Sequence, residues 1–420
     1  VKLRIRTLAS VALASVMLAG VFNAPVRAAD KVKVTLSTWV GVDEAKELQA
    51  VIDKVNAAAT DYQIISNPIP QDYYTQIQTQ LAGGSGSDLL WLDQDHIASF
   101  ADSGILLDIS DRVAKADKAS AANLSDYFPG VLQTAQVGGK TFGLPWIAQP
   151  VILYYNKTMF DTAGIKYPDD SWTWQTFKDA AAKLTLTTNG KITQYGTVFT
   201  GWPPLDMFVW QAGGNLISAD RASSPIDSPE VQQAVDFYTS ILYNEKYAPS
   251  EATIKDRGGN DQFKAGQVAM AFGGAADDLD RAPGLKVGVS RVPMGPKSRA
   301  TFSWTASMVI NAQSKNPDQA YAALVALTDG IQHWKVMAPR MSLATADVIT
   351  SSDPRKKDSA AVIVAAAADM RALTTIPRQL EWEDMFWKEF QDPVYHAKSK
   401  SGDIAAKVRS DLEALLPAKK

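Results

Sequence analysis

The chain predicts an α/β fold with a parallel sheet and helices on its faces, spread over more than one domain. Three observations predict it. Strand-like and helix-like patterns alternate at strand–helix–strand spacing between residues 31 and 92. The chain has 420 residues, more than a single hydrophobic core usually serves. Its 46% hydrophobic content is that of a folded protein rather than a disordered one.

Residues 1–29 read as a secretory leader and not as part of the fold. Lys2, Arg4 and Arg6 form a basic start, and residues 8–22 carry no charge. Pro25 and the small-residue pattern Val26-Arg27-Ala28 then place a cut near Ala28 or Ala29. The apolar run falls short of the roughly 20 residues that a spanning helix needs. Val21 stands after Leu18-Ala19-Gly20 where a lipid-bearing cysteine could have been, and the chain has no cysteine. Neither a lipid anchor of that kind nor a disulfide is expected. The expected product is exported, soluble and periplasmic.

Beyond the leader, Val32, Val34 and Leu36 alternate and predict a strand over 31–37. Residues 39–43 form the loop after it. A helix over 44–59 follows from the spacing of Leu48, Val51, Ile52 and Val55. A second strand is predicted at 62–66 and a helix at 72–81, with Tyr73, Ile77 and Leu81 on one face. The run DLLWL at 88–92 is a third strand, after a Gly/Ser turn. Ligands of such sheets sit beyond the carboxyl ends of the strands. That puts residues 39–43 and 93–95 on one rim.

Strands are predicted at 140–145 and 151–155, joined by a loop at 146–150. The helix over 171–184 places Trp174, Phe177 and Ala181 on one side, so Trp172 and Trp174 are expected to pack. Ser228-Pro229-Glu230 supplies an N-cap, a proline at the first helical position and an acid in the first turn of a helix to about residue 243. Strands follow at 268–272, ending in Gly273-Gly274, at 287–292 and at 308–311. Asn316-Pro317 opens a helix with Ala320, Ala323, Leu324 and Leu327 inward. The remainder is predicted mostly helical, including 380–395 and 403–416.

Composition narrows the function. Without the leader the chain is mildly acidic, with no basic footprint for nucleic acid or an anionic membrane. Eleven tryptophans against three histidines and no cysteine suit the gripping of flat, partly apolar faces better than nucleophilic or metal chemistry. Gly138-Gly139-Lys140-Thr141 ends like a phosphate loop, but Thr134 stands where its first glycine belongs. Asp93-Gln94-Asp95 lacks the glycine and final glutamate of a calcium loop. Glu381, Glu383 and Asp384 read as an acidic helix face. No metal, no cofactor and no enzymatic activity is expected.

Eight runs, in order, carry a resemblance: VTLSTWVGVDE, QIQTQLAGGSGSDLLWLDQD, SGILLDIS, GKTFGLPW with VILYYNKTMFDTAGI, SWTWQTFKDAAAKLT, WQAGGNLIS, FKAGQVAMAFGG and TASMVINAQSKNPDQAYAALVALT. The chain resembles the extracellular solute-binding proteins of ABC importers, in the sugar-binding group that includes maltose-binding protein. The resemblance implies a two-lobed periplasmic binding protein of the type II kind, with a ligand cleft between hinged lobes. One lobe is implied at 30–140 plus 300–335, the other at 141–299 plus 336–420. Crossings are implied near 138–143, 293–302 and 338–343.

Ligand positions carry over residue by residue. They are Trp39, Asp43 and Glu44 after the first strand, Asp93 and Asp95 after the third, and Gln149 seven residues before Asn156. Trp202, Gly273, Gly274, Trp304, Arg340 and Trp382 complete the set. Relatives commonly place an aromatic residue two positions after the Gly-Gly, where this chain has Ala275 and Ala276. Trp202 or Trp304 is expected to replace that surface. Indoles would stack on the C–H face of a sugar while carboxylates and amides accept its hydroxyl protons. The implied partners are the transmembrane permease and cytoplasmic ATPase of an importer, with the binding protein a monomer. The alternatives are a polyol, a glycerol-3-phosphate-type ligand, and an exported carbohydrate-active enzyme.

Overall fold

The structure is a computed structural model and describes residues 30–199, 202–244, 246–250, 253, 258–332, 334, 337–395 and 401–417. The expected leader lies outside the described residues.

The strands are β1 Val32–Thr38, β2 Tyr62–Pro68, β3 Leu89–Asp93, β4 Gln136–Val137, β5 Lys140–Thr141, β6 Gly143–Asn156, β7 Leu186–Thr188, β8 Lys191–Val198, β9 Val268–Gly274, β10 Val287–Ser290, β11 Thr301–Ile310 and β12 Met370–Arg371. The helices up to residue 212 are α1 Val42–Ala58, α2 Tyr73–Ala82, α3 Gln94–Asp102, α4 Ser110–Val113, α5 Pro129–Thr134, α6 Lys157–Ala163, α7 Trp174–Leu184 and α8 Leu205–Ala212. Beyond it come α9 Pro229–Thr239, α10 Gly259–Lys264, α11 Pro317–Ile331, α12 Ala346–Ser352, α13 Ala360–Ala367, α14 Gln379–Met385, α15 Asp392–Tyr395 and α16 Ser401–Glu413.

The main sheet runs β2-β1-β3-β11-β6-β9-β8-β7. β1 lies parallel to β2 and β3, as the alternation near the start of the fold predicts. Its apolar residues Val34 and Leu36 are fully buried, with Leu48 and Ile52 of α1 in the same core.

Two strands join the halves of the sheet. The first part of β6 pairs with β11, from Gly143↔Val309 to Pro150↔Ser303. Its second part pairs with β9, from Val151↔Gly274 to Tyr155↔Met270. Residues 146–150, expected as a loop, are therefore strand. The strand contains Pro145 and Pro150, and each has a position that tolerates it. Pro145 flanks a register shift at Ala306/Ser307 that leaves Trp146 as the extra residue of a bulge. Pro150 stands at the changeover from β11 to β9.

β11 begins at Thr301, seven residues before the expected strand. The run TFSWTAS is too polar to read as core, yet Thr301, Ser303, Thr305 and Ser307 are all buried. Two of their hydroxyls are satisfied inside. Thr301 donates to the Val151 carbonyl at 2.7 Å, and Thr305 bonds Thr134 at 2.9 Å and Gln94 at 3.2 Å.

Separate cores lie under the two halves. One gathers Leu36, Leu48, Trp91, Trp146 and Leu324. The other gathers Phe160, Phe177, Phe208, Tyr238 and Phe390. Trp304 of β11, half-buried, packs against both. Trp172 and Trp174 are buried in the second core, as their helical spacing predicts.

Candidate functional site

A pocket of about 520 Å³ opens where the two halves of the sheet meet. Its aromatic lining is Trp202, Trp304 and Phe272, and its polar lining is Gln149, Asn260, Asp261 and Asp277. Val198, Gly258 and Gly259 also line it. None of these side chains is cationic.

Each polar group is held by its backbone setting. Gln149 lies on β6 opposite Trp304 of β11, so the joining strands deliver both. The Gln149 amide donates to Asp277 at 3.1 Å. The other Asp277 oxygen accepts the Gly274 backbone N–H at 2.9 Å and faces Asn260 at 3.5 Å. Asn260 and Asp261 lie in the first turn of α10. A Cβ on Gly274 would run into the Gln149 side chain, and one on Gly273 would stand 2.8 Å from the Tyr154 ring. As packed, neither position has room for a side chain. Trp202 follows residues outside the description and precedes a cis peptide to Pro203.

Asp277, Asn260 and Asp261 escaped the sequence reading. The one signal for Asp277 was the replacement of bulky side chains by Ala275-Ala276, which leaves it the first polar group after the Gly-Gly.

The remaining expected positions divide. Trp39 is half-buried, 6.2 Å from the Trp304 ring and 5.3 Å from Trp91, so it backs the pocket wall through Trp304. Asp93 caps α3, accepting the Asp95 N–H at 3.2 Å and bonding His96 at 2.7 Å. The His96 ring is stacked on Tyr74 at 3.4 Å.

Asp95 faces a second acidic group across the molecule. Helix α14 packs against α3 and brings Glu383 to it, and Asp206 comes from the first turn of α8. Burial pushes the Asp95 carboxyl well above its usual range, with Glu383, Asp93 and Asp206 adding to the effect. Burial likewise raises Asp206 to about 7. Its own backbone N–H and the Arg371 guanidinium oppose that rise, and Glu383 adds to it. Burial also raises Glu383, against a 2.7 Å hydrogen bond from Gln379. The expected acidic face splits accordingly: Glu381 and Asp384 pair outward with Arg378 and Lys388, while Glu383 turns inward.

Four expected contacts are not brought to the pocket. Asp43 lies in the exposed first turn of α1 and pairs with Lys46 at 3.3 Å. Glu44, beside it, is exposed. Arg340 is buried, and its guanidinium is committed to Asp126 at 2.8 Å, Asp329 at 2.9 Å and the Ala119 carbonyl at 3.1 Å. Trp382 is buried in a core, stacked on Phe386 at 4.9 Å. A rim loop admits either capping or binding, and a buried arginine takes whatever carboxylates the fold brings.

Residues 41–329 match the model of the bacterial extracellular solute-binding protein family. A binding protein of Brucella abortus (strain 2308) is 27% identical over 271 residues, covering 61% of this chain and 62% of its own. A mannitol-binding protein of Pseudomonas aeruginosa is 27% identical over 293 residues, covering 63% of each chain. The chain thus spans about three-fifths of the length of these curated relatives. Among solved structures, an ABC substrate-binding protein of Listeria monocytogenes in complex with cycloalternan superposes with a TM-score of 0.76 at 22% identity, covering 92% of this chain and 99% of that one. That likeness is one of fold, two lobes with a cleft between them, and the family and this neighbour are binding proteins. The matched span covers more than half of the sequence and includes both joining strands, so this chain belongs to the bacterial extracellular solute-binding protein family.

Proposed function

We propose that this protein captures a neutral carbohydrate or polyol between its lobes and hands it to the permease of an ABC importer. The pocket lining carries the reading. Two indoles, two carboxylates and two amides share about 520 Å³, and no cationic side chain is among the described lining residues. Indoles suit the C–H face of a sugar ring, and the acceptors suit its hydroxyl edge. A phosphorylated ligand such as glycerol 3-phosphate would face Asp261 and Asp277 with no countercharge among the described lining residues, so it ranks below a neutral one. A free polyol draws support from the mannitol-binding relative.

In this reading one lobe comprises residues 30–140 and 300–335, and the other 141–299 and 336–420. Trp39, Gln149, Trp202, Gly273, Gly274 and Trp304 from the expected set, with Asp277 and Asn260, form the site. Asp93 and Asp95 shape its edge. The basic start and uncharged run of residues 2–28 support export to the periplasm. The protein performs no chemistry on its ligand and works as a monomer with the importer's membrane subunits and ATPase.

The test is a thermal-shift series with maltose, tagatose, mannitol and glycerol 3-phosphate. A ligand that binds the native state raises Tm with the logarithm of its concentration over Kd, adding about 2.7 kcal/mol of stability at 100 Kd. A response to a neutral compound, which is recovered unchanged, is expected. Silence toward every carbohydrate and polyol would reject the proposal.

A further inference from the structure

Lys356 lies outside the pocket, in the single turn Pro354–Lys356 between α12 and α13, and its side chain has no exposed surface. A buried ammonium is costly to desolvate and persists only where good partners surround it. Its Nζ donates to the Ala275 carbonyl at 3.1 Å and to an Asp280 oxygen at 2.8 Å, and lies 3.0 Å from Asp278. Ser359 donates to the second Asp280 oxygen at 2.7 Å. Arg281 adds a bond to Asp353 at 3.0 Å.

All these ties end on one short segment, residues 275–281, which leaves β9 through Gly273, Gly274, Ala275 and Ala276. Four such small residues offer little side chain with which to fix a loop. Asp277 sits among the tied positions, and its carboxylate points the other way, to the Gly274 N–H and to Gln149. We propose that Lys356 is a positioning residue for the pocket: by pinning Ala275, Asp278 and Asp280 it holds the Asp277 carboxylate against Gln149. The inference deepens the proposed ligand site and rests on that reading. The pinning itself has a readout that needs no ligand.

The experiment uses the full chain with Lys356→Met, Asp277→Asn and the double variant. Hydrogen exchange at the Gly274 amide reports the loop directly. Affinity for maltose and mannitol reports the pocket. Lys356→Met is expected to speed Gly274 exchange at least tenfold. It is expected to weaken binding about tenfold when Asp277 is present and less than twofold in the Asp277→Asn background. A general loss of stability would weaken both backgrounds alike, and that result, or unchanged exchange at Gly274, overturns the proposal. If Lys356→Met does not fold, Asp280→Asn cuts the shortest tie while leaving the lysine, and the same pattern at smaller size is expected. If neither sugar nor polyol binds the unmodified protein, the ligand reading fails and the exchange result still decides the role of Lys356.

Discussion

Gln149 and Asp277 can meet only because position 274 lacks a side chain. The backbone there is extended strand, so alanine is conformationally acceptable, and the three nearest atoms to a new Cβ all belong to the flexible Gln149 side chain. That side chain can swing away at little cost to folding. Gly274→Ala is therefore expected to leave Tm within about 1 °C, a shift of about 1 kcal/mol or less in a chain of this length. Ligand affinity should fall about tenfold, or about 1.4 kcal/mol. Calorimetric titration beside thermal unfolding checks both, and a large Tm loss with affinity intact would contradict the account. Gln149 was singled out by the family resemblance, seven residues before Asn156, and it lines the pocket. Asp277 was not, because its role depends on a glycine three positions earlier and an amide on another strand. Arg340 was misread for a related reason. Its partner Asp126 lies 214 residues away, and no local pattern names it.

Helices α3, α8 and α14 meet through their carboxyls, an arrangement no single helix reveals. Asp95 and Asp206 stand in first turns, where acids are ordinary, and Glu383 sits on a helix whose other acids face water. Packing turns them into a group that prefers to hold protons. For Asp206 the folded pKa is about 7 against 3.8, so the native state binds more protons than the unfolded chain between those values. Its contribution is most favourable below pH 4, falls as pH rises, and is at its worst above pH 7. Asp206→Asn removes that dependence. The variant is expected to match the parent in stability near pH 4 and to exceed it by about 1–3 kcal/mol at pH 8. Urea unfolding at the two pH values measures the difference, and equal gaps at both would refute the assignment. The facing groups are Asp93 at the end of β3, Asp95 and His96 on α3, Asp206 on α8, Arg371 on β12, and Gln379 and Glu383 on α14.

For the molecule as a whole, the consequential feature is that β6 and β11 each serve both halves of the sheet. Trp304 touches both cores and lines the pocket, so a change in the angle between lobes must alter its surroundings. A ligand shifts that angle only through contacts that differ between the open and closed arrangements. Any compound that raises Tm is therefore expected to change tryptophan emission and to reduce the radius of gyration in solution scattering. Trp304→Phe should remove most of the emission change while leaving the scattering change. A ligand that stabilises without compacting the protein would oppose closure of the lobes on it.

Local pattern determined much here. Alternation at Val32, Val34 and Leu36 and the helical spacing of α1 and α2 specified the α/β start, because burial of one face leaves a period in the chain itself. The order of motifs specified the family. Tertiary structure alone decided the rest. It made residues 146–150 strand by providing partners on both sides, and it buried the polar run of β11 with distant partners for the Thr301 and Thr305 hydroxyls. It also sent Arg340 and Trp382 into the interior and assembled Gln149, Asn260 and Asp277 into one wall. Periodicity records which face of an element is buried, while a site records which distant elements meet, and that is settled only when the chain has packed.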